Sequence, residues 1–300
     1  MSYFCHELCA LSRPAITALS HGAAQAGCWL NTGEGGLSPH HLKGHCDLVF
    51  QIGTAKYGVR NGQGHLDPQK LTDIAAHPEV KMFEIKLSQG AKPGKGGILP
   101  AIKVTEEIAA IRGIPLGQDS ISPNGHVEFK GVSDILDMIN QVRDITGKPT
   151  GIKAVLGDMI WLSDLCDEIE RRGIESAPDF FTLDSSDGGT GAAPQALMDN
   201  VGLPLKQSLP LLVDLFNERG LKQRIKIIAT GKLVMPSYVA WALVTGADFI
   251  ASARGNMFAL GCIQSLQCNK DTCPTGITTH NTRLQHGLDP KDKSARVAEL

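Results

Sequence analysis

Three cysteines stand close together near the end of the sequence, in Cys262-Ile-Gln-Ser-Leu-Gln-Cys268-Asn-Lys-Asp-Thr-Cys273-Pro274. Thiolates this close can hold an iron–sulfur cluster, because soft sulfur suits iron and sulfide. Three ligands rather than four point to a three-iron cluster. Zinc fits less well, since its structural sites take four ligands and space cysteines two to four residues apart. The alternative is three unrelated core cysteines, because free cysteine packs as a small hydrophobe. The cluster reading expects Cys262, Cys268 and Cys273 to face one pocket as free thiols.

Glycine-rich loops carry the other candidate chemistry. Asp187-Gly188-Gly189-Thr-Gly-Ala-Ala-Pro194 follows a candidate strand, and its glycines let backbone N–H groups approach an anion. A tight turn is the alternative. Ile228-Ala-Thr-Gly231-Lys232 and Ala253-Arg254-Gly255 follow the next two candidate strands, where barrel enzymes build phosphate sites. Lys86-Leu-Ser-Gln89-Gly-Ala-Lys92 leaves another strand end, and its two lysines suit a carboxylate or an anionic reduced flavin. Asn31-Thr-Gly-Glu34-Gly-Gly36 places one carboxylate in a glycine loop. Lys153 lies inside an apolar run and needs a partner, since an unpaired buried charge is costly. A flavin ring or a core carboxylate would serve.

Such loops need strands and helices to hold them. Helical spacing covers Ser133 to Ile145, a stretch capped at Ser163 and ending near Gly173, Ser208 to Arg219, and Ser237 to Thr245. Short β-type runs at 152–155, 180–183, 225–228 and 249–251 alternate with them. Earlier strands are expected at Met82–Lys86, at Ile114–Asp119 and near Cys28–Asn31, with helices at 15–26 and 105–112. Helices that alternate with strands and close on glycine mean βα units and a parallel sheet. The fold class is therefore α/β, a (β/α)8 TIM barrel. Only seven strands are visible, so the barrel is expected to be incomplete, its first strand missing or irregular within Met1–Leu11. No linker divides the sequence, and residues 1–300 read as one domain with the cysteine loop at 262–274.

Composition narrows the function. A net charge of −2 and the lack of a basic run interleaved with aromatics argue against nucleic-acid and membrane-surface binding. No apolar run is long enough to span a bilayer, and no secretory leader is visible. Eight scattered cysteines without such a leader read as cytoplasmic and reduced.

Taken together, NTGEGG, KLSQGAKPGKGG, LDSSDGGTGAAP, IIATGK and the MFALGCIQ…C…CPTG run resemble, in this order, the FMN-binding synthase domain of glutamate synthases. Stand-alone glutamate synthase-like proteins lacking a glutaminase domain are the nearest type. The resemblance covers about Ala10 to the C-terminus. It implies an FMN-binding barrel with a 3Fe-4S cluster on Cys262, Cys268 and Cys273. It implies that Gly231 and Gly255, with neighbours such as Lys232 and Arg254, hold the FMN phosphate. Lys86, Gln89 and Lys92 match positions near the flavin and 2-oxoglutarate, and Glu34 and Arg112 match substrate-site positions. Ile98 departs from the family, which carries glutamine there. Phe4–Cys9 separates Met1-Ser2-Tyr3 from Ala10, where the family continues directly.

The activity implied is reductive amination of 2-oxoglutarate with ammonia by an oxidoreductase acting on CH-NH2 donors. Electrons would come from a donor protein or reductase subunit, and ammonia would arrive free or from a separate glutaminase subunit. An N-methylglutamate synthase-type enzyme using a methylamine donor is one alternative. A non-catalytic electron-transfer protein that kept the cluster but lost FMN is another.

Overall fold

The computed structural model describes residues 2–3, 10–92, 96–189, 191 and 193–300. Ten strands are present among them: β1 (Ser2–Tyr3), β2 (Leu30–Asn31), β3 (Leu48–Ile52), β4 (Val80–Lys86), β5 (Ile98–Leu99), β6 (Ser120–Ile121), β7 (Thr150–Val155), β8 (Phe180–Asp184), β9 (Lys226–Thr230) and β10 (Phe249–Ser252). Eight of them are parallel and close a barrel in the order β1-β10-β9-β8-β7-β4-β3-β2. β5 and β6 form a separate antiparallel pair in the excursion between β4 and β7. The architecture is a (β/α)8-type barrel.

The first strand is only two residues long, but it pairs with β10 on one side and β2 on the other. A two-residue first strand fits the irregular one expected within Met1–Leu11; its pairings close the ring, and Phe4–Cys9 lies outside the described residues. Two expectations are corrected. Ile114–Asp119 is a turn, because Pro115 and Gly117 (φ 72°) break it. The overlooked barrel strand is β3, whose five residues are all buried and so show no alternation to read.

Local chemistry sets the helices. Arg13–Gln25 starts at Ser12, whose hydroxyl accepts the Ala15 N–H at 3.3 Å. Val132–Thr146 stops at Gly147, which takes the left-handed conformation at φ 64°. Ile160–Arg172 begins at Met159 with Asp158 on the Ile160 N–H at 2.9 Å, so Ser163 is inside the helix, not its cap. Leu205–Glu218 likewise starts before Ser208 and carries Pro210 inside it.

The main core fills the space between the strands and the helices outside them, with Phe50, Phe83, Phe181 and Phe216 among its largest members. The C-terminal helix Pro290–Glu299 packs back on Arg13–Gln25. A Cβ on Gly22 would overlap Val297, so glycine is what allows this approach. No helix among the described residues is long and apolar enough to cross a membrane.

Candidate functional site

The loops at the C-terminal ends of the barrel strands enclose a cavity of about 360 Å³. Its first wall is a charge cluster. Glu34 follows β2, and glycine at 53 and 97 leaves it room: a Cβ at either would lie 2.6 Å or 2.5 Å from its side chain. Lys86, at the end of β4, donates to Glu34 Oε2 at 2.7 Å and to Gln89 Oε1 at 2.8 Å. Burial alone would raise the Glu34 carboxyl. Lys86 above all, then Lys92 and Arg112, outweigh it and hold the group below the usual carboxylate range. Lys92 and Arg112 line the same cavity.

Arg112 ends the helix Glu106–Arg112 and is 3% exposed. Its guanidinium lies 4.4 Å from the centre of the Tyr57 ring and donates to Ser120 Oγ at 3.1 Å. Tyr57 and Ser120 close the triangle at 2.6 Å. Ile98, in β5, stands at the cavity rim and is half-exposed.

Behind Lys86 sits His126, whose Nε2 lies 3.0 Å from the Lys86 carbonyl oxygen. A carbonyl only accepts, so Nε2 carries the proton. Burial first, then the Lys56 charge, depresses its pKa to about 4, and the ring is neutral. Deeper in the barrel, Glu84 accepts from Asn31 at 2.9 Å, from Thr182 at 2.6 Å and from Gln51. This buried carboxylate joins β2, β3, β4 and β8 beneath the site.

The second wall is made of the glycine loops. Lys153 is 2% exposed and its ammonium lies 3.4 Å from Asp184 Oδ2, a carboxylate beside the buried charge. Asp184 also accepts the Gly90 N–H at 3.1 Å. Asp187 accepts the Leu205 N–H at 2.7 Å, tying its loop to a helix start. Gly188 and Gly189 take φ values of 96° and 143°, which favour glycine. Gly231 (φ 144°) is pressed against Ser185, and Lys232 pairs with Asp199 at 3.1 Å. Arg254 donates to the Gly189 carbonyl oxygen. Asp187, Gly188, Gly189, Gly231, Lys232, Lys153 and Arg254 line the cavity. Gly255 does not; it is buried one residue further on, where a Cβ would lie 2.8 Å from Ser252 Oγ and 3.0 Å from Leu300.

The third wall is the cysteine loop. Cys262, Cys268 and Cys273 are free thiols and all line the cavity. Burial raises the Cys273 thiol, but hydrogen bonds from Thr275 and Thr278 outweigh it and bring the pKa down to about 7. Thr275 Oγ1 lies 3.4 Å from the sulfur. Among the described residues no three His, Cys, Asp or Glu side chains converge on one metal ion.

Sequence reasoning missed Tyr57, Ser120, His126 and Glu84. A buried acid inside the β4 run Val-Lys-Met-Phe-Glu-Ile-Lys was the one readable signal among them.

A family model described as a conserved region in glutamate synthase matches residues 1–300. The glutamate synthase large subunit-like protein YerD of Bacillus subtilis (strain 168) is 44% identical over 96% of this chain. The archaeal glutamate synthase (NADPH) of Methanocaldococcus jannaschii is 34% identical over 97% of it. This chain spans about half the length of both relatives, 54% of each. Among solved structures, a mutant flavocytochrome b2 with pyruvate bound aligns over 100% of this chain and 66% of its own, at 13% identity and a TM-score of 0.53. A lactate oxidase of Pediococcus acidilactici aligns over 93% and 69%, at 14% identity and a TM-score of 0.50. These two likenesses speak to the barrel alone. The match to the family model runs the length of the sequence, and the chain belongs to the glutamate synthase family.

Proposed function

We propose that the chain is an FMN- and iron–sulfur-dependent oxidoreductase domain that makes glutamate from 2-oxoglutarate and ammonia. One observation carries the reading: Glu34, Lys86, Lys92 and Arg112 share a cavity with glycine-rich loops and three free cysteines. The residues suit both groups. Lys153, Lys232, Arg254 and the glycine loops at 188–189 and 231 offer cations and close backbone approach to FMN and its phosphate. Three free thiols, one of them acidified by neighbouring hydroxyls, suit a 3Fe-4S cluster. When bound there, FMN would supply hydride chemistry and a cluster would supply single-electron transfer.

The protein's own part is orientation and electrostatics. Lys92 and Arg112 hold the two carboxylates of 2-oxoglutarate by charge-assisted hydrogen bonds. The Tyr57 face and Ser120 fix the Arg112 fork before substrate arrives. Glu34 is ionised near neutrality and acts as an acceptor, holding N–H of the condensing amine. Lys86 keeps that carboxylate in place, and His126 anchors the Lys86 backbone. Electrons come from a donor protein or reductase subunit, and ammonia arrives free or from a separate glutaminase subunit.

Anaerobic reconstitution with FMN, iron and sulfide tests the cofactor set. We expect flavin bands above a broad iron–sulfur shoulder. Replacing Cys262, Cys268 and Cys273 together by serine should remove the shoulder and leave the flavin bands. A wild-type protein that takes up neither group contradicts the reading.

A further inference from the structure

We propose that Lys103 is a positioning residue for the cysteine loop: its buried ammonium fixes the backbone at Cys268 and places a positive charge beside the thiolate trio. The inference rests on reading that trio as cluster ligands. Lys103 ends a short 3-10 turn, Ala101–Lys103, in the excursion between β4 and β7. It is 1% exposed. Its Nζ donates to the carbonyls of Ala10 at 3.0 Å, Cys268 at 3.2 Å and Thr278 at 3.2 Å. An ammonium has three protons, and here three separate chain segments take them.

The cysteine loop needs such a restraint. Gln264, Leu266 and Asp271 all take left-handed backbone conformations, at φ 55°, 55° and 60°. Side-chain-bearing residues persist there only where surrounding contacts over-determine them. Cys268 lies between two of these positions, and the bond from Lys103 reaches its carbonyl. Lys103 also lines the cavity that Cys262, Cys268 and Cys273 line. A cation there stabilises the more negative, reduced form of a thiolate-bound cluster and so raises its reduction potential. The same excursion carries Ile98 and Arg112, so Lys103 ties the substrate wall to the cysteine wall.

The molecule contains its own control. Lys148 donates to three carbonyls in the same manner, those of Ala75 at 2.6 Å, His77 at 3.5 Å and Val80. It stands just before β7, at the opposite end of the barrel from the cavity. The test compares Lys103→Met and Lys103→Gln with Lys148→Met. Two quantities are read: iodoacetamide alkylation of each thiol in the anaerobic apoprotein, and the reduction potential of the reconstituted cluster. Lys103→Met should speed alkylation of Cys268 about tenfold, the factor matching one lost hydrogen bond, while Lys148→Met leaves it unchanged. Both Lys103 variants should lower the potential. If Lys103→Met does not fold, Lys103→Gln carries both readings: its uncharged amide has two protons and one bond less reach, so it cannot hold all three carbonyls. Equal Cys268 rates and potentials in the Lys103 and Lys148 variants overturn the proposal. Faster Cys268 alkylation in a protein whose wild type builds no cluster leaves the loop-holding role standing and removes the cluster reading.

Discussion

The Glu34–Lys86 pair is where burial and charge oppose each other most directly. Both side chains are largely buried, at 14% and 9% exposure, so the pair is little screened by solvent. Lys86→Met would leave the Glu34 carboxylate in place with its nearest cation gone. We expect a loss of about 3–5 kcal/mol in chemical denaturation at neutral pH, the usual cost of stripping one partner from a buried pair. His126 gives a second prediction with a defined sign. Its folded pKa of about 4 lies below the ordinary 6.5, so the unfolded chain binds its proton first. Stability from this group is intact above pH 6.5 and falls as pH drops towards 4, by about 3 kcal/mol in all. His126→Gln should flatten that part of the stability–pH curve; an unchanged slope would mean the ring is not held neutral. Ile98 is the residue that bears on substrate. Isoleucine at the rim cannot donate a hydrogen bond, so Ile98→Gln should tighten 2-oxoglutarate by about ten- to a hundredfold, or 1.5–3 kcal/mol. Titration of flavin absorbance reads this directly, and weaker binding in the variant would point to a different oxo acid.

Helix and strand packing decides whether those side chains meet. The helices Arg13–Gln25 and Pro290–Glu299 touch through Gly22, and any larger residue there must push Val297 aside. Gly22→Ala should therefore cost about 1–3 kcal/mol by overpacking, seen as a lower Tm with unchanged cofactor spectra. The later βα units could be read from sequence, because each helix closes near a glycine and each strand is a short apolar run. β3 could not, since a strand buried on both faces has no period-two pattern. β1 could not either: two residues carry no pattern, and their pairing is set by the ring that they close. The same logic divides the site residues. Glu34, Lys86 and the cysteines sit in glycine-rich or closely spaced motifs, and so they stand out. His126 acts across 40 positions and Lys103 across 165, so only the folded chain brings them to their partners.

Seen as one object, the molecule is a closed parallel barrel whose C-terminal rim gathers anion-holding, glycine-rich and thiol-bearing loops around one cavity. Family membership follows from the match over residues 1–300, while this chain covers about half of its relatives' length. The arrangement explains why the charge cluster, the glycine loops and the cysteines lie far apart in sequence yet line one cavity. Three successive units, β8, β9 and β10, each deliver a loop to the same side. The excursion after β4 then lays Ile98, Lys103 and Arg112 across it. Single turnover tests the proposed activity most directly. The reconstituted protein would be reduced anaerobically by dithionite, freed of excess reductant, and mixed with 2-oxoglutarate and ammonia while flavin absorbance and glutamate are followed together. The account predicts flavin reoxidation matched by glutamate formation, and neither change when 2-oxoglutarate or ammonia is withheld. Flavin that stays reduced in the presence of both, or that reoxidises only with methylamine, would contradict it.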